Sequence, residues 1–96
     1  MANKAKTYAL NAGADTAVVS GAATYRGITV RNTSGAATAT IRVYDGTSGS
    51  GTLLDTIQLA ASESRAEFYP DGIEALVGIY VKLVSGAIEG SVRWSA

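Results

Sequence analysis

Val43-Tyr44-Asp45-Gly46-Thr47-Ser48-Gly49-Ser50-Gly51-Thr52-Leu53-Leu54 carries one apolar run into a loop of small residues and out into another. Nothing in residues 46–51 is large enough to pack, so the flanking runs read as the two arms of a β-hairpin or β-arch. On the N-terminal side, residues 38–44 alternate, with Ile41 and Val43 inward and Thr40, Arg42 and Tyr44 outward. On the C-terminal side, residues 52–59 give Leu53, Ile57 and Leu59 one face. Asp55 interrupts that face and marks a bend or an edge, while Leu54 on the other side needs its own cover.

Alternation continues outward from this centre. Residues 25–32 set Ile28 and Val30 against Thr29 and Arg31, and Asn32-Thr33-Ser34-Gly35 supplies a turn before the next strand. Residues 62–68 place Ala66 and Phe68 inward and Glu63, Arg65 and Glu67 outward; Tyr69-Pro70-Asp71-Gly72 then ends the strand, because proline has no N–H for the ladder. Helical periodicity is confined to a single turn over residues 71–76. Residues 77–84 bury Ile79, Val81 and Leu83, residues 87–95 bury Ile88, Val92 and Trp94, and the tight Ser85-Gly86 link predicts a hairpin. Residues 4–10 form a short strand or arm, and residues 15–20 a second strand ahead of the turn at Gly21-Ala22-Ala23. About eight strands at this spacing predict an all-β fold, a two-sheet antiparallel β-sandwich of jelly-roll or immunoglobulin-like type. The expected organisation is an N-terminal arm or edge strand over residues 1–12 and one sandwich domain over residues 13–96.

Size and charge narrow the function. A chain of 96 residues holds one core, and much of its 47% hydrophobic content is alanine, so the core is thin and burial between subunits is expected. Eight basic and eight acidic side chains balance, leaving no net field to attract nucleic acid or an anionic membrane. Cysteine is absent, which fits a reducing cytosol. The start, Met-Ala-Asn-Lys-Ala-Lys-Thr-Tyr, has no apolar run behind its charges, so neither secretory export nor a membrane span is expected. Asn32-Thr33-Ser34 matches the glycosylation triplet but reads as a polar turn.

With neither histidine nor cysteine, the usual general base, activated nucleophile and transition-metal ligands are missing. Asp15, Asp45, Asp55, Asp71, Glu63, Glu67, Glu74 and Glu89 fall at turns or on polar strand faces, so no catalytic residue, metal site or cofactor is assigned. Residues 45–51 offer one carboxylate where calcium loops use several, and Gly46, Gly49 and Gly51 lack the following helix and Lys-Ser/Thr pair of a phosphate loop. What alternation does collect is an outward set, Tyr25, Arg31, Arg42, Tyr44, Tyr80, Lys82 and Arg93. Tyr and Arg join contact area to directional hydrogen bonds, so this set reads either as a binding face or as plain cover for the outer pleat. A glycan stacking on the same tyrosines is the weaker alternative, since Trp94 points inward.

Four segments in order resemble the small β-sandwich virion proteins of tailed bacteriophages. These are residues 26–34 (Arg-Gly-Ile-Thr-Val-Arg-Asn-Thr-Ser), residues 41–54 with their Tyr-Asp-Gly-Thr-Ser centre, residues 57–61 (Ile-Gln-Leu-Ala-Ala), and residues 78–82 leading to Gly90-Ser91-Val92-Arg93-Trp94. The resemblance spans residues 24–94 and rests on turn and strand chemistry. It implies a non-enzymatic capsid decoration, or cement, protein: a homotrimer, made in the host cytoplasm, on the outer capsid surface, bridging subunits of the major capsid protein. It transfers no site residues. Within that expectation the interface residues are Asn3, Lys4, Lys6, Tyr8 and Leu10, as an arm laid across a neighbour with the sandwich folding without it, together with the outward Tyr/Arg set. Two alternatives stand beside it, a tail, baseplate or receptor-binding component and a free carbohydrate- or protein-binding module.

Overall fold

The computed structural model describes residues 4–10 and 15–96. Its strands are β1 (Lys6–Leu10), β2 (Thr16–Ser20), β3 (Ala23–Asn32), β4 (Ala39–Asp45), β5 (Thr52–Leu59), β6 (Ser64–Ala75), β7 (Gly78–Ser85) and β8 (Ile88–Ser95). No described residue is helical, and residues 71–75, where one helical turn was expected, belong to β6. Two four-stranded antiparallel sheets run in the orders β1-β8-β3-β6 and β2-β7-β4-β5. The pairing is nested: β4 with β5, β3 with β6, β2 with β7 and β1 with β8. The chain is thus one long folded-back ribbon whose tip is the loop at residues 46–51. Rolling the ribbon over two sheets adds the β3–β8 and β4–β7 pairs, which makes the sandwich a jelly roll.

Among the described strands, β4 and β5 are the one consecutive pair sharing a sheet. The expected hairpin over residues 77–95 is therefore an arch, with β7 in one sheet and β8 in the other. Residues 33–38 likewise carry the chain between sheets. Alternation with a short turn is common to hairpins and arches, and the long-range nesting decides between them.

Inward side chains meet between the sheets. Tyr25, Ile28, Val30, Ile88 and Val92 of one sheet face Ile41, Val43, Ile57, Leu59, Ile79 and Val81 of the other, all buried, each such aliphatic contributing about 1.5–3 kcal/mol. Three sequence expectations change, two about facing and one about where a strand ends. In β5 a register shift between Val43 and Tyr44 turns Leu53 out, 50% exposed, and brings Leu54 against the core. In β6 the register Val30↔Arg65 and Ile28↔Glu67 puts Arg65 and Glu67 on the inner side, and Phe68 opposite Gly27 is left outward, 61% exposed. Cross-strand partners share a face, so the register with β3 overrides the hydrophobicity of Phe68. Finally, Pro70 does not end β6. That strand is a sheet edge, where a missing N–H costs no ladder bond, and residues 69–72 bulge out of register with β3.

The connections are tied at both ends. At one end Asn32 N–H donates to Glu63 O (2.8 Å), Ser62 N–H to Ser34 O (2.9 Å) and Thr33 N–H to Ala87 O (3.1 Å). The Asn32 side chain is completely buried there, so the triplet at residues 32–34 presents no accessible amide to a glycan. At the other end Gly21 N–H donates to Val77 O (2.8 Å) and Gly46 N–H to Gly78 O (3.0 Å). Asp45, just before the glycine loop, accepts N–H bonds from Leu76 (2.9 Å), Val77 (2.8 Å) and Gly78 (3.3 Å). The donors at Leu76 and Val77 chiefly hold its carboxyl below the usual carboxylate range.

Candidate interaction surfaces

The sequence placed seven outward Tyr, Arg and Lys side chains on one surface; the fold divides them. Arg42, Tyr44, Tyr80 and Lys82 lie on the outer face of the β2-β7-β4-β5 sheet, where Arg42 is directly opposite Lys82 and Tyr44 opposite Tyr80. Ala17 continues the tyrosine row on one side and Leu53 on the other. The glycine loop folds back toward this face, so that a Cβ on Gly49 would lie 3.0 Å from the Lys82 stem. Asp15 sits at the rim, accepting the Leu83 N–H (3.0 Å) and the Tyr80 hydroxyl (3.3 Å).

Arg31 and Arg93 belong to the opposite face, on the β1-β8-β3-β6 sheet. Arg31 pairs with Glu89 at 2.9 Å, both side chains more than half exposed. Arg93 donates to Thr29 Oγ1 (2.7 Å) and reaches across β3 to lie over the Phe68 ring, 4.9 Å from its centroid. The residue between them in register is Gly27, whose missing side chain leaves the lane open.

Tyr25 belongs to neither face. It is fully buried, because a bulge between Tyr25 and Gly27 resets the alternation of β3 and turns both Tyr25 and Ile28 inward. The expected arm is also altered. Lys6–Leu10 is already paired along its length with β8, Leu10 is buried in the core, and Lys6 lies 4.9 Å over the Trp94 ring. Removing it would leave β8 paired with β3 alone and take Leu10 out of the core, a cost to the fold that the arm reading did not include. Tyr8 remains 42% exposed, Lys4 is exposed ahead of β1, and Asn3 and the expected boundary at residues 12–13 lie outside the described residues.

Sequence reading missed how Asp55 is used. The Tyr25 and Tyr69 hydroxyls both donate to its Oδ2, at 3.0 and 2.8 Å, and their rings stand 5.5 Å apart. The cluster links β3 and β6 of one sheet to edge strand β5 of the other, closing the rim of the sandwich. The signal available was the lone carboxylate breaking an apolar strand face. Searches against family models, curated proteins and solved structures find no match to this chain.

Burial, reinforced by the Asp55 hydrogen bond, pushes the Tyr69 phenol up to about 12; burial and then the Asp55 charge push Tyr25 up further. A phenol whose folded value lies above its ordinary value of 10.0 contributes stability that is complete below that pH and fades as pH rises through the folded value. Near-ultraviolet circular dichroism should therefore hold up to pH of about 10 and decline toward about 12. The decline should flatten in the Tyr25→Phe, Tyr69→Phe double variant; an unchanged profile would remove these phenols from the alkaline transition.

Proposed function

We propose that this chain is a non-enzymatic structural protein of a tailed-phage virion that decorates the capsid and bridges subunits of the major capsid protein, with further copies of itself as a second partner. The observation that carries the reading is the split of the candidate contact residues onto opposite outer faces. Bridging needs at least two contact surfaces on one rigid body. One face carries a tyrosine row and a cationic row; the other carries Arg31, Arg93 and the exposed Phe68. The jelly roll holds them back to back with a buried core between them, and the resemblance over residues 24–94 supports the assignment to virions. Small subunits repeated by symmetry add modest contact areas across every seam of a shell, which strengthens it without chemistry.

Copy number in gradient-purified particles, by quantitative mass spectrometry against the major capsid protein, tests the reading. About one copy per capsid subunit is expected for a protein that covers a symmetric shell. A ratio of roughly a few per cent, as a tail component would give, moves the protein to the tail. Absence from particles overturns the proposal.

A further inference from the structure

The outer face of the β2-β7-β4-β5 sheet breaks a rule that the rest of the molecule keeps. Elsewhere the arginines are engaged. Arg26 donates to Ser95 Oγ and Pro70 O, Arg31 and Arg65 pair with Glu89 and Glu63, and Arg93 bonds Thr29 and covers Phe68. Among the described residues, Arg42 is the one arginine with no hydrogen bond, ion pair or ring contact. It is exposed, and its cross-strand partners are Lys82 on one side and the neutral Thr56 on the other. Like charges directly opposite in a ladder destabilise it. Asp15, at the rim of this face, accepts from the Leu83 N–H and the Tyr80 hydroxyl and forms no ion pair with Lys82. A local cost without internal compensation points to a partner that supplies it.

The neighbouring row sets Tyr80 beside Tyr44 on the same face, and Arg and Tyr are the residues enriched in protein interfaces. We propose that this face is a docking site for an acidic segment of a partner protein, whose carboxylates neutralise Arg42 and Lys82 while its chain lies over Tyr44 and Tyr80. The inference rests on the assembly reading for the kind of partner, and on charge complementarity for its chemistry. Two uncompensated cations on a chain of zero net charge suit a short carboxylate segment better than a phosphate backbone, which takes a longer basic track.

The test is a titration of the isolated protein with an oligoglutamate peptide, followed residue by residue by NMR. Saturable shifts should be confined to the surroundings of Arg42, Lys82, Tyr44 and Tyr80, shrink as ionic strength rises, and vanish in the R42Q/K82Q double variant. K82E, which sets opposite charges across from each other, should melt at a higher temperature than the parent and lose the peptide response, separating lost binding from lost fold. Absent shifts, or shifts centred on Lys4 and Lys6, overturn the proposal. So does a stronger response of the same residues to a single-stranded oligonucleotide. If the face titrates but particles lack the protein, the assembly reading fails and the docking site stands. If R42Q/K82Q is incorporated undiminished into particles, the docking site fails and the assembly reading stands.

Discussion

Asn32→Ala should lower the unfolding free energy by about 4 kcal/mol, read from urea denaturation with an unchanged m-value. Its side chain is completely buried at the end of the sandwich where three inter-sheet connections meet. Nδ2 donates to Ala37 O (2.7 Å) and Ala60 O (3.1 Å), and Oδ1 accepts the Ser34 N–H (2.9 Å). One amide thereby satisfies the β3–β4 arch and the β5–β6 arch together. Alanine deletes three bonds at about 1 kcal/mol each, takes from the Ala37 carbonyl and the Ser34 N–H the partner they have here, and opens a small cavity, while the Ala60 carbonyl keeps the Glu63 N–H (3.0 Å). Asn32→Asp should be at least as costly near neutrality: it keeps the acceptor for Ser34 but turns a second carboxylate oxygen toward two carbonyls. That variant should regain part of its stability as pH falls, because protonation restores one donor. A loss below about 1 kcal/mol for the alanine variant would show that the arches hold without the amide.

The segment at residues 43–54 yields its two strand arms and the loop between them directly from sequence, and the β4–β5 pairing settles the choice between hairpin and arch in favour of the hairpin. Much of the inner-face pattern was legible for the same reason: Ile28, Val30, Ile41, Val43, Ile57, Leu59, Ile79, Val81 and Val92 follow a strict period of two and are buried. What alternation does not carry is partner choice. Ser85-Gly86 between two β-prone runs fits a hairpin and an arch equally, and only the nesting of β2 with β7 and β1 with β8 makes it an arch.

The candidate surfaces were less legible because bulges shift the period. Counting back from Ile28 puts Tyr25 outside; the bulge before Gly27 puts it inside, within reach of Asp55. Sequence marks that bulge only by a glycine in the middle of a strand, a weak signal. Division of Arg31 and Arg93 from Arg42 and Lys82 required the strand order, which single-strand patterns do not contain. Asp55 did announce itself by interrupting an apolar face, but its two phenol partners stand in the other sheet, on β3 and β6, and the strand pattern alone does not bring them to it.

Gly27→Ala should be among the most damaging small substitutions in the chain, about 4 kcal/mol or more by the same denaturation measurement. Gly27 has φ of 142°, and a Cβ there would collide with the Glu67 carbonyl oxygen, with Glu67 C and Phe68 Cα each 3.2 Å away. All three obstacles are β6 backbone, so no rotamer change relieves them; the edge strand has to move. That motion breaks the Gly27↔Phe68 pairing, closes the lane by which Arg93 covers Phe68, and loosens the bulge that turns Tyr25 toward Asp55. Gly21→Ala separates the two contributions. Gly21 has φ of 106° but nothing within 4 Å of its Cβ position, so it should lose only the conformational cost of about 1 kcal/mol. Equal losses at the two positions would mean that β6 yields freely and that the bulge does not depend on glycine. A much larger loss at Gly27, with the Tyr25 contribution to the near-ultraviolet spectrum disappearing alongside it, would tie the close approach of β3 and β6 to the Tyr25–Asp55–Tyr69 link that closes the rim.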